Sequence, residues 1–167
     1  FMINNAQQVP MKFFFGAPSC VPATGFETSG ATLTAHHVEA LLERDDIFFL
    51  AEMMNVPGVI HQDQEVMAKL LAARKAGKRV DGHAPGLRGA DLSAYVRAGI
   101  STDHESLSLE ECYEKLDLGM KIQLRQGSSA RNLDDLHPLI SSHPGQCMLC
   151  TDDLKPGDLA CGHINRL

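Results

Sequence analysis

Residues 80–106 read VDGHAPGLRGADLSAYVRAGISTDHES, and this stretch decides the fold. Arg79 to Gly82 has strand character and stops where His83-Ala84-Pro85-Gly86 turns the chain. Residues 89–99 then follow a helical period, with Leu92, Tyr95 and Val96 inward and Gly99 as the closing glycine. Ile100 to Thr102 reads as the next strand and runs into Asp103-His104-Glu105. A strand, a short helix and a second strand with brief connections imply a parallel pair with a right-handed crossover.

The same alternation extends both ways. Strand character recurs in MKFFFGAPS, DDIFFLAEMMN, GMKIQLRQGS and GQCMLCTDD, making about six strands in all. Between them TLTAHHVEALLER places Val38, Leu41 and Leu42 on one face behind Thr34 as N-cap. QDQEVMAKLLAARKAG carries a stripe of Val66, Met67, Leu70 and Leu71 and ends at Gly77. SLEECYEKLDLG starts at Ser108, and NLDDLHPLISSHPG is a helical segment interrupted by proline. An open doubly wound sheet and part of a (β/α)8 barrel both fit this α/β order. A closed barrel needs about 250 residues, so the 167 residues are expected to form one partial domain, an incomplete TIM barrel.

Composition narrows the function. The net charge of −6 is spread among bases and acids, with no basic run for nucleic acid and no apolar run of about 18 residues for a membrane span. Trp is absent and aromatics are 5%, which leaves little for base stacking. Five cysteines, an odd number at irregular spacing, point to reduced thiols and a cytoplasmic location. There is no G-x-x-x-x-G-K, no G-x-G-x-x-G after a strand and no G-x-S-x-G elbow.

In parallel α/β sheets ligands collect at the C-terminal ends of the strands. The polar residues expected there are Glu52, His83, His104 with Asp103 and Glu105, Gln123 to Gln126, and Asp152 with Asp153. Imidazoles and carboxylates on successive strand ends have the chemistry of a divalent metal site for Zn, Mn or Fe(II). Taken singly, each has a plainer reading: His83 as a solvated loop histidine, Glu52 as the strand's exit to water, Asp152 as a turn residue. Two imitations are set aside. His36-His37-Val38-Glu39 with Cys147-x-x-Cys150 imitates a zinc deaminase signature, but the separation is too long. Cys147-x-x-Cys150 with Cys161-x-His163 imitates a zinc ribbon, but Met148 and Leu149 read as buried strand.

The stretches PSCVPATGFETSGATL, LAEMMNVPGVI, residues 80–106 and CTDDLKPGDLACGHINRL closely resemble the adenine deaminases of the amidohydrolase superfamily. The resemblance covers most of the chain. It implies a (β/α)8 barrel of which this chain supplies roughly strands three to eight, with N-terminal strands and a C-terminal remainder lying outside it. It also implies conversion of adenine and water to hypoxanthine and ammonia at a divalent centre, binuclear in the full-length family (Mn or Fe, with Zn a further option).

By position, the resemblance makes Glu52, His83, His104 and Asp152 metal ligands, with Glu52 in the bridging place that a carboxylated lysine holds in many relatives. Asp152 becomes the proton shuttle, Glu105 a second acid–base residue and Asp153 a residue sharing the task of Asp152. Ser19, in the loop after the first strand here, and Arg125 and Ser128, after the fifth, become candidates for lining the purine pocket. The implied partner is a small-molecule purine, with no nucleic acid and no membrane, and a full-length chain could form a homo-oligomer. The superfamily's His-x-His occurs nowhere in these 167 residues, so the chain alone is expected to be inactive. The alternatives are a related amidohydrolase acting on another ring amine or cyclic amide, and a non-catalytic truncated barrel scaffold.

Overall fold

Six stretches of strand character become six strands in a computed structural model that describes residues 1–162 and 164. The fold is α/β with parallel sheets. His163, part of the zinc-ribbon imitation, lies outside the described residues. The backbone groups into two compact units, residues 1–81 with 98–100, and residues 82–97 with 101–167.

The first unit begins with a short helix α1 (Met2–Ala6) and carries a sheet of order β1-β2-β3, formed by Phe15–Pro18, Ile47–Met53 and Arg79–Gly82. β1 and β2 run parallel, with Ala17 opposite Leu50 and Pro18 opposite Ala51. Gly16 allows this pairing, since a Cβ there would sit 2.6 Å from the Phe49 ring. Helix α2 (Ala35–Leu42) starts at Thr34, whose backbone N–H donates to His37 Nδ1 at 3.2 Å. His37 is therefore part of a helix cap.

After β2 come a one-turn helix α3 (Val56–Ile60) and the longer α4 (Gln64–Lys75), which Asp63 caps by accepting from Val66 N–H at 3.0 Å. The buried stripe of α4 is Val66, Lys69, Leu70, Ala72 and Ala73, whereas Leu71 is half-exposed. This corrects the expected Val66-Met67-Leu70-Leu71 stripe. Lys69 can be buried because its ammonium donates to the Ser19 carbonyl at 2.8 Å.

The second unit holds α5 (Gly89–Arg97), β4 (Thr102–Asp103), α6 (Leu109–Asp117) and β5 (Lys121–Arg125). The chain continues through α7 (Leu133–Leu136), α8 (Pro138–Ser142), β6 (Cys147–Cys150) and α9 (Pro156–Cys161). Its sheet is β4-β5-β6, parallel throughout, with Asp103 opposite Ile122 and Arg125 opposite Cys150. Cys112, Leu116, Ile122, Leu124, Leu136 and Leu139 form its core. The last helical segment breaks in two at Pro138, as a missing N–H and a ring clash require. β6 is a strand but not a buried one: Met148 and Leu149 are exposed because β6 is the outer strand of the sheet. All five cysteines are free thiols. Among the described residues no helix is long and apolar enough to cross a membrane.

Candidate metal centre

Glu52 lies within β2, close to its C-terminal end, and has a positive φ of 34°. A non-glycine residue there is uncommon and marks a local constraint. Its carbonyl accepts from Ser19 Oγ at 2.7 Å, tying the end of β2 to the residue after β1. Ser19 is buried, so its hydroxyl serves this strand-end contact and its carbonyl serves Lys69.

The other strand-end residues belong to the second unit, and most of them meet. His83 follows β3 and His104 follows β4, and their rings approach with Nδ1 of His83 3.2 Å from Nε2 of His104. His83 Nδ1 is 3.3 Å from Glu105 Oε2, and His104 Nε2 is 3.7 Å from Asp152 Oδ2. His104, Glu105 and Asp152 each present one donor atom, all within 4.8 Å of one another. One imidazole nitrogen and two carboxylate oxygens at that spread suit a divalent first-row metal. Asp152 reaches this position with a positive φ of 50°. Gly127 lets the loops after β5 and β6 approach, since a Cβ there would lie 2.5 Å from the Thr151 carbonyl.

Arg125, at the end of β5, is the cation of the site. It is 5% exposed. Nη1 lies 2.6 Å from Asp152 Oδ2 and 3.0 Å from Glu105 Oε2, while Nη2 donates to Asp153 Oδ1 at 2.5 Å. Burial would lower its pKa, but the bond to Asp153 and the charges of Asp152, Glu105 and Asp153 raise it above the ordinary arginine value. Asp153 is held below the usual carboxylate range by hydrogen bonds from Ser129 and Arg125. Thus Arg125 is engaged by three carboxylates. Ser128 donates to Asp158 Oδ2 at 2.5 Å and accepts from the Lys155 N–H at 2.8 Å, so its hydroxyl ties the loop after β5 to the start of α9.

A second layer went unread in the sequence. Lys115 of α6 is fully buried and ion-pairs with Asp103 at 2.8 Å and Glu111 at 2.5 Å. Burial would raise the Asp103 carboxyl, yet the Lys115 charge and the bonds from Lys115, Ser106 and the Ala84 N–H bring it below the usual range. The available signal was the spacing of Glu111, Cys112, Lys115 and Leu116, which places an i,i+4 ion pair on the apolar face of α6.

The amidohydrolase family model matches residues 1–163. The adenine deaminase of Methanosarcina mazei is 58% identical over 168 aligned residues, covering 100% of this chain and 30% of that protein. The adenine deaminase of Parabacteroides distasonis is 54% identical over 100% of this chain and 31% of its own length. That of Borreliella burgdorferi is 50% identical over 99% and 31%. The chain therefore spans just under a third of the length of these curated relatives.

Proposed function

The chain belongs to the amidohydrolase family, and from that premise we propose that it is part of a metal-dependent hydrolase that converts adenine and water to hypoxanthine and ammonia. The observation that carries the reading is identity of 50–58% along essentially the whole chain to proteins named adenine deaminase. The spacing of His104, Glu105 and Asp152 supports the metal part of it. The family supports the barrel part of the proposal, a single partial (β/α)8 domain over residues 1–167 supplying roughly strands three to eight. Purine salvage in the cytoplasm, with the full-length protein as a possible homo-oligomer, completes the proposal.

The proposed ligands are Glu52, His83, His104 and Asp152, with Glu52 resting on the family match. A bound divalent ion, Mn or Fe with Zn as a further option and two ions in the full-length protein, would supply Lewis acidity that lowers a water pKa from about 15.7 to roughly 7. Asp152 then takes the proton from the attacking water and delivers it toward the departing amine, which leaves as ammonia only once protonated. Glu105 protonates a ring nitrogen as water adds at C6 and recovers a proton from the added hydroxyl as the amine leaves, and Asp153 shares the proton traffic of Asp152. Arg125 holds Glu105 and Asp152 in place, through contacts of 3.0 and 2.6 Å. Ser19, Arg125 and Ser128 stand as the proposed lining of the purine pocket.

Because no His-x-His occurs among the 167 residues, the chain by itself is proposed to be inactive. The experiment is ammonia release from adenine with added Mn(II) or Fe(II), for this chain and for a longer polypeptide containing it. The longer polypeptide should be active and should fall to background in Glu52→Ala and in His104→Ala. Full activity in both variants, or in the 167-residue chain alone, would sink this reading.

A further inference from the structure

The buried charge cluster of the second unit joins the two histidine-bearing loops, and one side chain stands at its centre. Lys115 Nζ brings three N–H donors among four acceptors: the Ala84 carbonyl at 2.8 Å, Asp103 Oδ2 at 2.8 Å, Ser106 Oγ at 3.1 Å and Glu111 Oε1 at 2.5 Å. Ala84 follows His83 and Asp103 precedes His104, so one ammonium grips the chain next to both rings. Asp103 closes the link by accepting from the Ala84 N–H at 2.8 Å through Oδ1. Glu111 repeats it one step out, accepting from Gly86 N–H and Leu107 N–H, each at 2.9 Å. The Tyr95 hydroxyl accepts from the His83 N–H at 3.1 Å.

Such a cluster is a poor device for stability alone. Three charged groups withdrawn from water carry a desolvation cost that well-packed apolar residues would avoid. A hydrogen-bonded buried network does fix geometry, because moving a member away leaves a buried polar group without its partner. Here the geometry so fixed is the separation of two loops that bear His83 and His104.

We propose that Lys115 is a positioning residue of the candidate metal centre, its ammonium holding the His83 and His104 rings at ligating separation. The proposal rests on the reading of that centre as a metal site, and the test separates the two. Nitrogen-15 NMR of the histidine rings, recorded in chelator on the 167-residue chain, reports the His83–His104 contact without any metal. Titration with Co(II), followed by visible absorption, reads affinity at the centre.

Lys115→Met should move the His83 and His104 ring resonances together and weaken Co(II) binding by about 10- to 100-fold, the usual effect of losing an outer partner of a metal ligand. Leu139→Ala, which opens a cavity in the core of the same unit, should leave both readouts unchanged. Ser106→Ala removes one contact of Lys115 with every charge still paired, and should shift the same two rings even if Lys115→Met does not fold. Unmoved rings in Ser106→Ala, or in a folded Lys115→Met, overturn the proposal, as do equal changes in Leu139→Ala. Rings that move in a chain whose wild type takes up no Co(II) uphold the positioning role and overturn the metal reading instead.

Discussion

Cys112 and Cys161 show how far one side-chain type diverges with its surroundings. Cys112 is fully buried in the core of the second unit, and burial pushes its thiol up to about 11. Cys161 is exposed at the end of α9. The thiolate is the reactive form, so at pH 8 only about 0.1% of Cys112 is available even before access is considered. Iodoacetamide at pH 8 should therefore alkylate Cys161 in the native chain and leave Cys112 untouched until the chain unfolds, as peptide mapping by mass spectrometry would read. Labelling of both at one rate would mean that the core around Cys112 is open. The linkage has a sign: the folded state favours the neutral thiol, so this contribution is intact below pH 9.0 and is lost as pH climbs toward 11.

Helix α6 carries the positioning cluster, and its start is set by one hydroxyl. Ser108 Oγ accepts from the Glu111 N–H at 3.3 Å. Ser108→Ala should cost about 1 kcal/mol, a fall in melting temperature of about 2–4 °C for a chain of this size, with Ser108→Asp close to wild type. A melting curve unchanged in the alanine variant would show that the cap contributes nothing. That cap was readable from Ser108 preceding an acidic turn, and the six strands were readable because most stretches of strand character change to turn or polar residues at their C-terminal side. The helices α1, α3 and α9 were not, since five or six residues are too few to display a helical period. The misplaced stripe on α4 and the unread Lys115 have one cause: a hydrophobicity pattern sees only the charge of a lysine, whereas burial depends on its partners, the Ser19 carbonyl for Lys69 and Glu111, Ser106, Asp103 and the Ala84 carbonyl for Lys115. His83, His104 and Asp152 were legible as strand-end residues. The engagement of Arg125 by three carboxylates was not, because two of the three lie 27 and 28 residues further along the sequence.

The chain as a whole is acidic, with a net charge of −6 and a pI near 5.7. Any divalent cation will relieve some self-repulsion in such a chain, so a rise in melting temperature with metal does not by itself reveal a site. The donor set separates the two effects. An ion that binds only the folded state stabilises by about 2.7 kcal/mol at a hundredfold excess over Kd, which is roughly 5–10 °C for a chain of this size. Calcium prefers six to eight oxygen ligands, whereas His104 with Glu105 and Asp152 offers an imidazole among carboxylates, which suits Mn(II) or Co(II). Mn(II) and Co(II) should therefore raise the melting temperature well beyond Ca(II) at equal ionic strength. The excess should vanish in His104→Ala and shrink in Asp152→Asn, while the small shift common to all three ions persists in both variants. Equal shifts for the three ions, unaffected by either substitution, would mean that the acidic surface alone takes up the metal and that these strand-end residues hold none.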